Sequence, residues 1–144
     1  MKKILLLCLC SIILSCSSNE DLKDNNNDIK IESILGEWIN DNCSTSIFDK
    51  KTGELLYHND NEEILDFHIK LFENGTYIDY EYHSGMTSSY TLKGRTLYLT
   101  NYNPLYIEEC NSSKMTVKIE GEEFSNKYER YVKYTTYITL KKIG

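Results

Sequence analysis

Ile64-Leu65-Asp66-Phe67-His68-Ile69-Lys70-Leu71-Phe72-Glu73-Asn74-Gly75-Thr76-Tyr77-Ile78-Asp79-Tyr80-Glu81-Tyr82 decides how the rest of the chain is read. Leu65, Phe67, Ile69 and Leu71 alternate with Asp66, His68 and Lys70, the period of two that marks a half-buried strand. Asn74-Gly75 then signals a hairpin, because both residues tolerate the positive φ of a type I′ turn. Beyond it Ile78, Tyr80 and Tyr82 alternate with Asp79 and Glu81. A two-residue loop predicts Leu71 opposite Ile78, Ile69 opposite Tyr80 and Phe67 opposite Tyr82 on the apolar face. The polar face then pairs Lys70 with Asp79, His68 with Glu81 and Asp66 with His83, each worth about 0.2–1 kcal/mol. Phe72 and Tyr77 fit this register badly, since both fall on the polar side, and a bulge beside the turn is the alternative.

Outward from this hairpin the same grammar repeats. Gly94-Arg95 is a second turn, with glycine first as type II′ requires, and it predicts Leu92 opposite Leu97 and Tyr90 opposite Leu99. Met115, Val117 and Ile119 alternate, and Tyr134, Thr136, Ile138 and Leu140 form the last strand. Asn103-Pro104 and Gly121 read as turns, and residues 40–62 hold one or two short strands, including Glu54 to Tyr57. The sum is about seven to nine short antiparallel strands with no substantial helix, which must close or stack to protect their edges. An all-β, antiparallel up-and-down β-barrel is expected, with a sandwich as the other solution. Twelve tyrosines and a single proline suit it, since aromatic rings fit a pleated, half-buried surface.

The N-terminal end reads as an address. Lys2-Lys3 precede an apolar run from Ile4 to Leu14, too short for the about 20 residues of a membrane-spanning helix. Ile13-Leu14-Ser15-Cys16 resembles the lipobox of bacterial lipoproteins, which implies cleavage before Cys16 and lipid on its thiol. Two or three acyl chains would hold the protein firmly, at about 0.8 kcal/mol per buried CH₂. Residues 1–15 are therefore expected to be a signal peptide, and 16–33 a lipidated cysteine with a disordered tether. That tether, polar from Ser17 to Asp28, would span roughly 20 Å. Ser17-Ser18-Asn19-Glu20-Asp21 also resembles the surface-export signal of some Gram-negative lipoproteins. The expected location is the outer membrane or cell surface, lipid-anchored.

The folded domain is expected over 34–144. Leu35-Gly36-Glu37-Trp38 resembles the G-x-W start of lipocalin-like proteins. Phe72-Glu73-Asn74-Gly75-Thr76-Tyr77 is similar to the F-x-[DN]-G-T-Y hairpin of small bacterial lipocalin-like lipoproteins, and the segment from Tyr90 to Leu99 to their next hairpin. The resemblance covers residues 34 to 141. It implies a barrel that holds a small apolar or amphipathic ligand or docks a partner at its rim. The alternative is an accessory subunit of an envelope complex with a filled interior. Trp38, Phe67, Ile69, Tyr80, Tyr82, Tyr90 and Leu97 are the expected inward residues in either case. Cys110 departs from the family pattern, where an apolar residue is usual.

Chemistry is sparse elsewhere. A net charge of −6 without a basic stripe argues against nucleic acid. Cys43 and Cys110, the two cysteines left in the domain, are expected to form a disulfide in an oxidising compartment. Asp66, His68, Glu81 and His83 form a cross-strand square that could hold an ion, but they equally describe a charge-paired solvated face, and no metal or other cofactor is expected. Gly85-Met86-Thr87-Ser88-Ser89 lacks a nucleophile elbow. The pairs Glu62-Glu63, Glu108-Glu109 and Glu122-Glu123 are adjacent in sequence, so strand geometry turns their members apart. No enzyme is expected. Tyr128, Tyr131, Tyr134 and Tyr137 should divide between the inside and the outside of a strand.

Overall fold

Antiparallel pairing runs unbroken round the molecule and returns to its starting strand. The computed structural model describes residues 28–60, 67–81 and 85–144. The expected signal peptide, Cys16 and the expected tether as far as residue 27, with Glu62-Glu63, Asp66, Tyr82 and His83, lie outside the described residues. A single helical turn, α1 (Ile31–Ile34), leads into β1 (Gly36–Asp49) and β2 (Leu55–Asn59). A meander follows: β3 (His68–Leu71), β4 (Thr76–Asp79), β5 (Met86–Lys93), β6 (Thr96–Leu99), β7 (Leu105–Cys110), β8 (Lys114–Ser125) and β9 (Arg130–Lys142). Each strand from β3 to β9 pairs with the next, and β1 pairs with both β3 and β9. The result is an eight-stranded up-and-down barrel, closed as expected, with β2 as a ninth strand outside the ring.

Strand length gives the barrel one tall wall. β1 runs 14 residues, β8 12 and β9 13, whereas β3, β4 and β6 have four each. The first residues of β1, Gly36–Ile39, pair with β3; farther on, Thr45–Phe48 pair with β2. β1, β8 and β9 thus rise past the short strands as a flared sheet edged by β2. Bulges at Asn40/Asn42 and Ile47/Phe48 let β1 bend round the ring.

The first hairpin corrects the expected register by one residue. Leu71 lies opposite Tyr77, Lys70 opposite Ile78 and Ile69 opposite Asp79. The loop has three residues, not two: Gly75 N–H donates to Phe72 O at 3.2 Å and Phe72 N–H to Thr76 O at 2.9 Å. Gly75 takes φ +78 while Asn74 does not turn left-handed. That is a type I turn ending in a glycine bulge, which shares the Asn-Gly signal with type I′. Asn74 Oδ1 holds it by accepting from Thr76 N–H at 3.1 Å. β4 is thereby flipped: Tyr77 and Asp79 point inward, and Tyr80 is 39% exposed. The pairs Lys70–Asp79 and His68–Glu81 do not form. The second hairpin matches expectation, with Leu92 opposite Leu97, Tyr90 opposite Leu99, and φ +59 at Gly94.

The inward faces merge into one core. Trp38, Ile69, Leu97, Leu105, Ile107, Met115, Val117, Ile138 and Leu140 are all fully buried within it. Phe67 and Tyr90 belong to the same cluster. The end where β1 begins is closed by the N-terminal segment. Ile34 is fully buried, Ile29 and Ile31 pack against the core, and Ile29 N–H donates to Gly94 O at 3.1 Å. Packing therefore starts ahead of Ile34, within the last residues of the expected tether. Trp38 ties this end to the barrel, its indole N–H donating to Ile34 O at 2.8 Å and its ring lying 5.2 Å beneath Lys142 Nζ. The neighbouring glycine is required by its backbone: Gly36 takes φ +115, which L side chains rarely adopt.

The expected Cys43–Cys110 disulfide is absent. Cys43 is buried on β1 opposite Ile138, and Cys110 lies on β7 opposite Met115. Two strands, β8 and β9, separate them round the wall, or roughly 14 Å at the usual strand spacing. A bridge needs Cα atoms within about 7 Å. The Cys110 thiol instead donates to Ser33 O at 3.5 Å, and burial pushes its pKa up.

Candidate functional site: the rim of the tall wall

Three places gather polar side chains against apolar surface. The first is the His68 neighbourhood. Glu37, from β1, takes the place expected of Glu81: its Oε1 lies 2.9 Å from His68 Nε2 and its Oε2 3.3 Å from Lys70 Nζ. The His68 hydrogen bond is the chief reason the Glu37 carboxyl titrates below its ordinary value. Tyr80 stacks outside, its ring centroid 4.3 Å from that of His68. Among the described residues, no group of three or more His, Cys, Asp or Glu could hold a metal ion. Glu81 is occupied differently, its N–H donating to Asp79 Oδ1 at 3.0 Å.

The second place is the mouth above the short strands. Asp79 is 1% exposed. A carboxylate there needs donors, and Tyr102 Oη–H and Glu81 N–H supply them. Tyr102 comes from the β6–β7 loop and packs edge-on against Phe67 at 5.7 Å. The next residue, Asn103, donates to Tyr134 Oη at 3.1 Å, so this loop bridges from β4 to the tall wall. Sequence reasoning missed both residues. An aromatic ring inside the turn-forming run Asn101-Tyr102-Asn103-Pro104 was the available signal.

The third is the rim of the tall wall, farthest along β1 from the closed end. Asp49, the last residue of β1, is 5% exposed. Its Oδ1 accepts from Lys51 N–H at 2.7 Å and Thr52 N–H at 2.8 Å, and its Oδ2 from Arg130 Nη1 at 2.9 Å. These contacts clasp the β1–β2 turn to the β8–β9 hairpin. The Thr52 N–H bond leads, and with Arg130 it lowers the Asp49 pKa from 3.8 to about 2. Because the folded pKa lies below the ordinary one, the clasp contributes its full stability above pH about 4 and loses it as the pH falls through about 2. Asp49→Asn is therefore expected to remove this part of the acid limb. Urea midpoints measured between pH 5 and pH 2 check it; an unchanged pH slope in the variant would count against the clasp.

Beside the clasp lies a cavity of about 830 Å³, lined by Asp49, Lys50, Lys51, Phe124, Glu129, Arg130 and Tyr131. Phe124 and Tyr131 are cross-strand partners on the outer face. Their rings meet edge to face at 5.4 Å, yet they stay 53% and 62% exposed. Lys50 Nζ lies 5.9 Å from the Tyr131 centroid and pairs with Glu122, which also holds Lys133 at 3.4 Å. The expected division of the tyrosines is met only in part, since Tyr128 lies in the β8–β9 turn and none of the four is buried. Tyr131 and Tyr137 face solvent, while Tyr134 covers Gly121, where a Cβ would fall 2.2 Å from its hydroxyl.

The residues expected to line a ligand pocket are brought together, but packed. Trp38, Ile69 and Leu97 are fully buried, Phe67 is 3% and Tyr90 7% exposed, and Tyr80 points outward. Two of five surface cavities lie at the closed end, one of them lined by Tyr90 with Ile29, Ile31 and Leu92; the others lie on the rim and outer wall, and Trp38, Phe67, Ile69 and Leu97 line none of the five. Fold and sites together define a closed antiparallel barrel whose described inward side chains are buried, with exposed aromatics and cations at its rim. No known protein family and no curated protein matches the chain.

Proposed function

We propose that the protein is a lipid-anchored, non-catalytic module of the Gram-negative envelope that docks a protein partner at its rim. The observation that carries this reading is the contrast between the packed interior and the rim. A small barrel either fills itself with side chains or holds one small ligand, and the burial of Trp38, Ile69, Leu97 and their inward neighbours supports the first. Large exposed aromatics beside an arginine are the composition of protein-binding hot spots, and Phe124, Tyr131 and Arg130 provide it. The anchor rests on the lipobox resemblance at Cys16, and the barrel agrees with the expectation drawn from small lipocalin-like lipoproteins. The reading thus favours the accessory-subunit alternative over carriage of an apolar ligand.

Two experiments test the two halves. Cys16→Ser is expected to abolish acyl labelling of the protein; normal labelling of the variant would remove the anchor. A photo-crosslinking amino acid placed at position 131 of the full-length protein in its own cells is expected to give a discrete adduct. The same group at position 98, on the outer face of β6, should not. Equal adducts at both positions, or none at 131, would overturn docking at the rim.

A further inference from the structure

We propose that a second copy of this chain occupies the rim cavity, the two rims meeting about a two-fold axis that sets Lys51 of each copy against Glu129 of the other. This rests on the docking reading above and names the partner.

Charge is the first support. Lys50 is paired with Glu122, and Arg130 with Asp49 at 2.9 Å. Lys51 and Glu129 are the charged lining residues that remain, both exposed and neither in an ion pair among the described residues. A surface left with one cation and one carboxylate complements its own copy, as an isologous contact requires. A partner segment of single sign would satisfy one of the two and be repelled by the other. Elsewhere two copies, each with a net charge of −6, repel, whereas the cavity lining is balanced. Apolar surface is the second support: Phe124 and Tyr131, 53% and 62% exposed, lie in the same patch and would be covered from both sides.

Placement in the wall gives the symmetry. Lys51 lies in the β1–β2 turn and Glu129 in the β8–β9 turn. The strands of the wall run β2-β1-β9-β8. Asp49 is opposite Val132, and Lys50 N–H donates to Tyr131 O at 3.1 Å, so the two turns stand level and side by side. A two-fold axis running between them, along the strands, brings the Lys51 turn of one copy onto the Glu129 turn of the other, and the reverse. Both ion pairs form at once. The same axis sends both N-terminal segments the same way, which agrees with two chains tethered to one membrane.

The test uses the full-length protein in its own cells, with the photo-crosslinking amino acid at position 131 and two differently tagged copies co-expressed. The adduct is expected at twice the chain mass, carrying both tags. Lys51→Glu in both copies, or Glu129→Lys in both, sets like charges together twice and should lower its yield about tenfold. Pairing one copy bearing Lys51→Glu with one bearing Glu129→Lys restores both contacts and should restore the yield, a recovery that a fault in folding would not allow. No effect of either variant alone, or no recovery in the mixed pair, would overturn the proposal. An adduct to a different protein, with none carrying both tags, would refute the second copy and leave docking standing. Absence of any adduct at position 131 would refute docking itself and this proposal with it.

Discussion

Trp38→Ala is expected to destabilise the protein by about 3–5 kcal/mol, the range for deleting a large buried aromatic side chain. Trp38 is fully buried, sits between Ile69 of β3 and Lys142 of β9, and belongs to the strand that closes the ring. The loss would not be confined to its own site. Its indole N–H is the donor to Ile34 O, so the variant should also loosen the segment from Ile29 to Ile34 that seals the closed end. Trp38→Phe separates the two effects, because it keeps much of the ring volume and removes only the donor. An Ile34 carbonyl left buried without its partner costs about 1–3 kcal/mol. Urea unfolding gives the energies, and hydrogen exchange at residues 29–34 reports the segment. A loss below about 1 kcal/mol in Trp38→Ala would mean that the indole does not hold the closed end.

Leu97→Trp decides between a filled barrel and a carrier. Leu97 is fully buried, opposite Leu92 on β5 and Leu105 on β7. In a filled interior the added ring has no space and is expected to cost about 1–3 kcal/mol, and the parent protein should not enhance the fluorescence of an apolar dye. In a carrier the ring would occupy the ligand's place, dye binding by the parent would fall, and stability would hold. The second result would displace rim docking in favour of a pocket walled by Phe67, Ile69, Tyr90 and Leu97.

Much of the barrel was legible because a period of two needs only the sequence. The strands around Tyr90–Leu99, Met115–Ile119 and Tyr134–Leu140 lie as their alternation requires, and the Gly94-Arg95 turn set its register correctly. The first hairpin was misread because Asn74-Gly75 serves two turn geometries that differ by one residue. One residue reverses every face of a strand, so Tyr80 and Asp79 exchanged sides. The misfit of Tyr77 was the local sign. With a three-residue loop Tyr77 turns inward, and Asp79 is buried against a tyrosine from a distant loop.

By itself the sequence determined the all-β class, which strands alternate, the second hairpin, and the aromatic residues at Trp38, Phe67 and Tyr90 that the interior encloses. These follow from side-chain period and turn chemistry, which act over a few residues. Tertiary structure alone decided that Cys43 and Cys110 stay apart, that Glu37 reaches His68, that Tyr102 caps Asp79, and that Asp49 and Arg130 clasp the rim. Each of these depends on which strands become neighbours when the sheet closes and on how far the long strands outrun the short ones. Ring closure brings together residues as distant as Asp49 and Arg130, and no local pattern in the chain records that meeting.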